Sequence, residues 1–168
     1  MNIYTKKHLK TSGFTLVELI VYFGIFSFLL LILTNIFSSS IASQLESESL
    51  SSVEQDGRFI LLRLARDIQS ASSIALPAST GSSAPSLQLI INGETFTYSL
   101  SNGNLILTNN YGSNQLNNFN TTISNINFSR IGNINGKNTI KTTLTITSKA
   151  VLNGTSESKL LETTTGTR

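Results

Sequence analysis

The feature that most constrains this chain is an apolar run of 24 residues, from Phe14 to Phe37, close to its start. As an α-helix the run would be about 36 Å long at 1.5 Å per residue, enough to cross a hydrocarbon layer of about 30 Å. A basic cluster, Lys6–Lys10, precedes the run and predicts an N-terminus on the cytoplasmic side of a membrane. A secretory signal is cut at small residues after its apolar core, whereas the small residue here, Gly13, comes before the core.

Glu18 is the only carboxylate inside the apolar run. An acidic residue at the centre of a membrane helix costs about 2.5–3.5 kcal/mol, and less near the interface. Glu18 is one turn from the start of the predicted helix, so in a lone anchor its carboxylate could reach the lipid headgroups. A cationic partner would offset the cost equally well, and the charge and its position alone leave both interpretations open.

The residues around Glu18 resemble the class III signal of type IV pilins and type II secretion pseudopilins. The resemblance consists of a basic leader, then Gly13, then Phe14-Thr15-Leu16-Val17-Glu18, then an apolar helix. It implies that a membrane-bound prepilin peptidase cuts after Gly13 and methylates the new N-terminus at Phe14. It also implies that Glu18 pairs with the N-terminal amine of a neighbouring subunit during assembly, which would bring a carboxylate and a cation together in a low dielectric.

The same resemblance implies the cellular location of such a chain and its binding partners. It would be a single-pass protein of the cytoplasmic membrane with its N-terminus inside, and later a subunit of a cell-surface or periplasmic filament. Its partners would be the prepilin peptidase, membrane lipid, the inner-membrane assembly platform and other pilin or pseudopilin subunits. The alternative is an uncleaved, signal-anchored membrane protein that presents an extracellular binding domain.

Composition limits the chemistry that the chain can perform. The formal charge is +3, but removal of Lys6, Lys7 and Lys10 with the leader lowers the twelve basic residues to nine, which balance nine acidic ones. Nucleic acid is therefore an unlikely partner, although it is not excluded. The chain has no Cys, and its one His lies in the leader, so Ser-His-Asp and Cys-His catalysis and Cys- or His-ligated metal sites are excluded after cleavage. We expect no enzyme, no cofactor and no metal.

After Phe37 the pattern becomes that of an amphipathic helix, which Pro77 would end at Leu76. The predicted apolar stripe consists of Leu50, Val53, Gly57, Ile60, Leu61, Leu64, Ile68 and Ala71. Charged residues lie largely off this stripe and are interpreted as a solvated face: Glu46, Glu48, Glu54, Asp56, Arg58, Arg63, Arg66 and Asp67. Within the stripe, Gly57 would either let a strand approach closely or be a tolerated glycine that costs about 1 kcal/mol.

Beyond Pro77 the period of the apolar residues changes to two, which predicts an antiparallel sheet with one face on the helix. Residues 77–86 read as a loop, and the tail from Asn153 as polar and frayed. Strands are predicted at Leu87–Ile91, Thr95–Leu100, Leu105–Thr108, Ile123–Ile131 and Thr139–Leu152, with hairpin turns at Asn92-Gly93 and Asn102-Gly103. A basic group of Arg130, Lys137, Lys141 and Lys149 is interpreted as scattered solubilising charge.

These patterns combine into an α+β, pilin-like architecture. Residues 1–13 form the leader, 14–37 the transmembrane or filament-core helix, 38–76 the amphipathic half of the helix, and 77–168 the antiparallel β-sheet domain with its polar tail. The segments Arg58–Ile68 and Phe96–Leu105 resemble PilW-type minor pilins and J-type pseudopilins. That resemblance, with the lack of a closing disulfide, favours a minor subunit for adhesion or motility, DNA uptake or protein secretion.

Overall fold

The computed structural model describes residues 13–132, 137–152 and 154–168. This part of the chain forms one helix followed by nine strands. They are α1 (Leu16–Ser70), β1 (Ser73–Leu76), β2 (Ser83–Ala84), β3 (Leu87–Ile91), β4 (Glu94–Ser101), β5 (Asn104–Asn109), β6 (Gly112–Gln115), β7 (Thr121–Ile131), β8 (Thr139–Leu152) and β9 (Thr155–Gly166). The predicted α+β class is confirmed. Contacts divide the chain after Ala42 into an N-terminal and a C-terminal unit.

The strands form two sheets, where the sequence predicted one. A five-stranded sheet has the order β1-β3-β4-β5-β6, and a four-stranded sheet has the order β2-β7-β8-β9. All neighbouring strands are antiparallel. The short strand β6 occupies the outer edge of β5, so β7 has no free edge there and pairs with β8 and β2 instead.

Two predicted hairpins in the first sheet are confirmed. Asn92 and Gly93 join β3 to β4 with φ angles of 53° and 83°, and Asn102 and Gly103 join β4 to β5 with φ angles of 49° and 76°. Two consecutive residues with positive φ define the tight turn whose twist matches that of the flanking strands. Asn and Gly tolerate this conformation better than other residues, which is why the sequence signal was reliable.

The core of the C-terminal unit lies between one face of α1 and both sheets. The helix contributes Val53, Ile60, Leu64 and Ile68, each no more than 2% exposed. The sheets contribute Leu87, Leu89, Tyr98, Leu105, Leu107, Ile123, Ile126, Phe128, Ile140, Leu144 and Ile146. Each large apolar side chain that is fully buried stabilises the fold by about 1.5–3 kcal/mol. Leu144 and Ile146 face inward as predicted, whereas Leu50 of the predicted stripe is 46% exposed.

The helix ends earlier than predicted, at Ser70 rather than Leu76. Residues Ser73–Leu76 form β1, which pairs with β3. Ser72 makes the change of direction, because its backbone N–H and its hydroxyl both donate to the carbonyl of Ile90, at 2.8 Å each. The edge of β3 thus supplies the backbone hydrogen bonds that a further helical turn would otherwise have made.

The tail that was expected to be frayed is a long edge strand, and the expected loop at residues 77–86 contains β2. Strand β9 pairs with β8 from Thr139 opposite Gly166 to Leu152 opposite Thr155, with one shift of register between Thr147 and Val151. Its side chains are mostly polar because one side of the strand faces solvent. A polar strand of this kind has no apolar alternation to reveal it, and only the pairing with β8 defines it.

Gly57 lies against the side chain of Leu161 in β9. A Cβ atom built on Gly57 would collide with Cδ1 of Leu161, a half-buried residue of β9. The neighbours of Gly57 are the side chains of Leu161 and Ile146 rather than strand backbone, so both interpretations of this glycine stay open.

Candidate functional site

The described chain begins with three residues that precede the helix. Gly13, Phe14 and Thr15 have no regular secondary structure, and Phe14 is 82% exposed. No described atom lies within 4 Å of a Cβ built on Gly13. The Gly13–Phe14 peptide bond is thus accessible outside the helix. Packing against the described residues does not require glycine at position 13.

Thr15 and Glu18 form a capping box at the start of α1. The backbone N–H and the hydroxyl of Thr15 donate to Oε2 of Glu18, at 3.0 and 2.9 Å. The backbone N–H of Glu18 donates in return to the hydroxyl of Thr15, at 3.3 Å. This reciprocal arrangement satisfies two donors that a helix N-terminus would otherwise leave without partners.

The sequence interpretation missed this cap, although its signal was present. The run Thr15-Leu16-Val17-Glu18 matches the pattern of Ser or Thr followed three residues later by Glu, directly before an apolar run. The structure therefore places Glu18 as the sequence predicted, in the first turn. It adds that the carboxylate turns back toward Thr15, the second residue after the expected cleavage site. Within the described residues, its second oxygen, Oε1, accepts no hydrogen bond.

The helix that follows carries an uncovered apolar surface throughout the N-terminal unit. Among the described residues, α1 is the one helix long and apolar enough to cross a membrane, with a mean hydropathy of 2.6 in its best window and none of that window buried. Side chains such as Leu16, Phe28 and Phe37 are each more than 60% exposed. Apolar surface of this extent needs lipid or other helices around it.

Polar side chains of the C-terminal unit fix the helix to the sheets. Asp67 is only 7% exposed; it accepts hydrogen bonds from Arg63 of α1, at 2.9 Å, and from the hydroxyl of buried Tyr98 in β4. Burial, reinforced by the bond to Asp67, raises the pKa of Tyr98, and the same carboxylate raises the pKa of Arg63. The interpretation of Asp67 as part of a solvated face was wrong.

Asp56 and Glu54 also have partners outside the helix. Asp56 accepts from the hydroxyl of Thr121 at 2.5 Å and from the backbone N–H of Asn118 at 2.8 Å. Glu54 pairs with Lys159 of β9 at 2.6 Å, and this hydrogen bond lowers the pKa of Glu54. These contacts hold α1 against the loop before β7 and against β9, so they serve the fold.

The basic residues singled out in the sequence do not form one patch. The guanidinium of Arg130 donates to the backbone carbonyls of Ile74, Pro77 and Ala78 and to the side chain of Asn138. Lys141 pairs with Glu162 at 3.1 Å. In the described part of the chain, no three His, Cys, Asp or Glu side chains lie close enough together to hold a metal ion.

Comparison with known proteins identifies the N-terminal segment. Residues 9–34 match the family model described as the prokaryotic N-terminal methylation motif. This is the prepilin-type signal of type IV pilins and pseudopilins, and it includes Gly13, Phe14 and Glu18. No curated protein and no solved structure is significantly similar to the chain. The motif indicates a structural subunit rather than an enzyme.

Proposed function

We propose that this chain, which carries the prepilin-type signal, is a structural subunit of a type IV pilus or a pseudopilus. It is made as a precursor in the cytoplasmic membrane, with residues 1–13 inside the cell. The prepilin peptidase cuts between Gly13 and Phe14 and methylates the amine of Phe14. The observation that carries the proposal is the methylation motif at residues 9–34, supported by an exposed Gly13–Phe14 bond directly before a capped apolar helix.

Cleavage changes the electrostatics at the start of α1. It creates a cationic amine on Phe14, one residue before Thr15, whose N–H and hydroxyl already bind Glu18. The free Oε1 of Glu18 is then the natural partner for the amine of a neighbouring subunit, because an ion pair at the edge of lipid is strongly favoured over two separate charges. Glu18 thereby neutralises the incoming amine and sets the position of the neighbouring helix.

The apolar half of α1 supplies the packing. It is held in lipid before assembly and against the helices of other subunits afterwards, so its exposed surface is covered in both states. The assembly platform of the inner membrane transfers it from one environment to the other. The C-terminal unit, residues 43–168, faces out of the membrane and determines the choice of partners.

We further propose the rank of a minor subunit. The segments Arg58–Ile68 and Phe96–Leu105 resemble minor pilins and J-type pseudopilins, and the chain has no Cys with which to close its C-terminal region by a disulfide. The filament would serve adhesion or motility, DNA uptake or protein secretion.

Coexpression with a prepilin peptidase tests the proposal. We expect the mature chain to begin at Phe14 and to carry one N-terminal methyl group, as read by intact mass and N-terminal sequencing. Gly13→Val is the matched control: the described chain has room for the added side chain, so the variant should fold and insert normally and yet remain uncut. Wild-type protein that stays uncut, or that begins at another residue, would support an uncleaved anchored protein with an extracellular binding domain.

A further inference from the structure

Each of the two sheets ends in two outer strands: β1 and β6 in the five-stranded sheet, and β2 and β9 in the four-stranded sheet. An outer strand exposes backbone N–H and C=O groups to which another chain can add a strand, and proteins protect such edges with charges, proline or very short strands. Arg130 covers β1, because its guanidinium donates to the carbonyl of Ile74 at 3.2 Å. Strand β2 has two residues and is followed directly by Pro85. Strand β9 carries three charged residues, Glu157, Lys159 and Glu162.

Strand β6 lacks this protection. Its four residues, Gly112–Gln115, are uncharged, include no proline and are all exposed. The strand is twice as long as β2 and pairs with β5 without a shift of register. No strand of the described chain pairs with its other side. The outer edge of β6 is therefore open to a further strand.

The free backbone groups of β6 belong to Ser113 and Gln115. Leu116 donates its backbone N–H to the carbonyl of Leu105 in β5, at 2.9 Å. Successive residues of an antiparallel strand direct their backbone groups alternately toward one neighbour and away from it. Asn114 therefore directs its N–H and carbonyl toward β5, as Leu116 does, whereas Ser113 and Gln115 direct theirs outward.

We propose that β6 pairs, antiparallel, with β6 of a second copy of this chain, with Asn114 of one copy opposite Asn114 of the other. In this register Ser113 of each copy lies opposite Gln115 of its partner. Residues that face each other in this way exchange both of their N–H···O bonds, so every outward backbone group of β6 gains a partner. Sliding one copy by two residues would move half of these groups beyond the end of the strand.

The chemistry of this edge favours a second copy. Backbone donors and acceptors at strand spacing are complementary to another extended backbone, and β6 is the one outer strand in the described chain that a second copy offers without protection. The pairing brings no like charges together. The amide of Asn114 is both a donor and an acceptor, so it is complementary to its own copy across the two-fold axis.

The pairing closes at two copies. Both copies use the same patch, which makes the contact isologous and gives a dimer rather than a continuing filament contact. The interface is short and so needs a high local concentration, which anchoring of both copies in one membrane by α1 would supply. The inference goes beyond filament assembly, because the uncleaved chain carries the same β6.

A single introduced cysteine tests the register, because the chain has no native Cys. Opposite residues that exchange no hydrogen bonds have Cα atoms about 4.5 Å apart, within the range of about 4.4–6.8 Å that a disulfide spans. Full-length chain with Asn114→Cys, expressed without the prepilin peptidase, should form a disulfide-linked homodimer when its membranes are mildly oxidised. Ser156→Cys is the matched control, since Ser156 is exposed on β9, and it should stay monomeric because charges protect that strand.

Charges at position 114 provide the second measurement. Two differently tagged chains carry Ser113→Cys and Gln115→Cys, and we expect a disulfide-linked product that contains both tags. Asn114→Lys in both chains, or Asn114→Glu in both, should abolish this product, because like charges directly opposite each other destabilise a strand pair. Asn114→Lys in one chain with Asn114→Glu in the other should restore it, which a variant that fails to fold could not do.

Two results would overturn the inference. The first is an Asn114→Cys chain that forms no more homodimer than Ser156→Cys, or that links to another protein instead. The second is a like-charged pair at position 114 that links as well as the oppositely charged pair. Because the chain is tested here without the peptidase, either result leaves the proposed function intact, and N-terminal sequencing after coexpression tests that function separately.

Discussion

Glu18 has one role in the structure and a second in the proposed function, both within a single turn of helix. Its Oε2 completes the capping box with Thr15, while its charge would pair with the amine that cleavage creates at Phe14. The first role needs an acceptor atom, and the second needs a negative charge. Substitutions that keep one and remove the other can therefore separate them.

Gln also serves in a capping box, so Glu18→Gln keeps the acceptor atom. The same substitution removes the negative charge. We expect both Glu18→Gln and Glu18→Ala to be cleaved and methylated normally but to enter filaments at least about tenfold less than wild type, since an ion pair in low dielectric is lost. Immunoblotting of sheared filaments against total membrane protein measures the ratio.

Thr15→Ala is the matched control for capping, because it removes the hydroxyl and retains both the charge of Glu18 and the backbone N–H bond. Its incorporation should stay close to that of wild type. If Glu18→Gln assembled normally while Glu18→Ala and Thr15→Ala both failed, capping rather than charge would be the requirement.

At the scale of elements, α1 and β9 are in contact at Gly57. The helix buries one face under both sheets, and β9 crosses that face closely enough for the side chain of Leu161 to occupy the place of a Cβ on residue 57. Alanine would improve helix propensity by about 1 kcal/mol, but the tip of the Leu161 side chain would have to move aside, which offsets part of that gain.

We expect Gly57→Ala to raise the free energy of unfolding by less than the about 1 kcal/mol that helix propensity alone would give, because the tip of the Leu161 side chain must move aside. In a Leu161→Ala background the collision is absent, so the same change should give the full gain of about 1 kcal/mol. Urea unfolding of the four proteins in detergent, followed by circular dichroism, completes the double-mutant cycle. Equal effects of Gly57→Ala in both backgrounds would rule out the packing explanation.

At the scale of the whole molecule, the buried Asp67–Tyr98 contact joins the end of α1 to the centre of the five-stranded sheet. Because burial raises the pKa of Tyr98 in the folded chain, an unfolded tyrosine loses its proton first, near pH 10. The contribution of Tyr98 to stability is thus complete below about pH 10 and decreases as the pH rises above it.

We expect Tyr98→Phe to lower the free energy of unfolding at neutral pH by about 1–3 kcal/mol, because buried Asp67 loses one of its two partners. The variant should also lose less stability between pH 9 and pH 11 than wild type, as measured by chemical unfolding at a series of pH values.

Tyr111→Phe is the matched control. Tyr111 also donates to a carboxylate, Glu94, at 2.9 Å, but it is 83% exposed. Its removal should leave stability at neutral pH unchanged within error. A Tyr98→Phe protein as stable as wild type at neutral pH would show that the contact contributes nothing to folding.

The sequence by itself determined the features that depend only on neighbours along the chain. The prepilin-type signal, the apolar helix and the Asn-Gly turns at residues 92–93 and 102–103 are each defined within a few residues, because charge, hydropathy and left-handed backbone are local properties. The capping box of Thr15 and Glu18 belongs to this group too, since its pattern was readable although the prediction overlooked it.

Only the tertiary structure decided the features that depend on a distant partner. The helix ends at Ser70 because β3 offers an edge to residues 73–76, and the polar tail is a strand because β8 lies beside it. Asp67 is buried because Tyr98 meets it, and the surroundings of Gly57 are set by Leu161, whose side chain lies against it. Tyr98 is 31 residues from Asp67 in sequence, and Leu161 is still farther from Gly57, so no short window along the chain contains both members of either pair. For β1 and β9, the pairing with a neighbouring strand decides the structure against the local pattern.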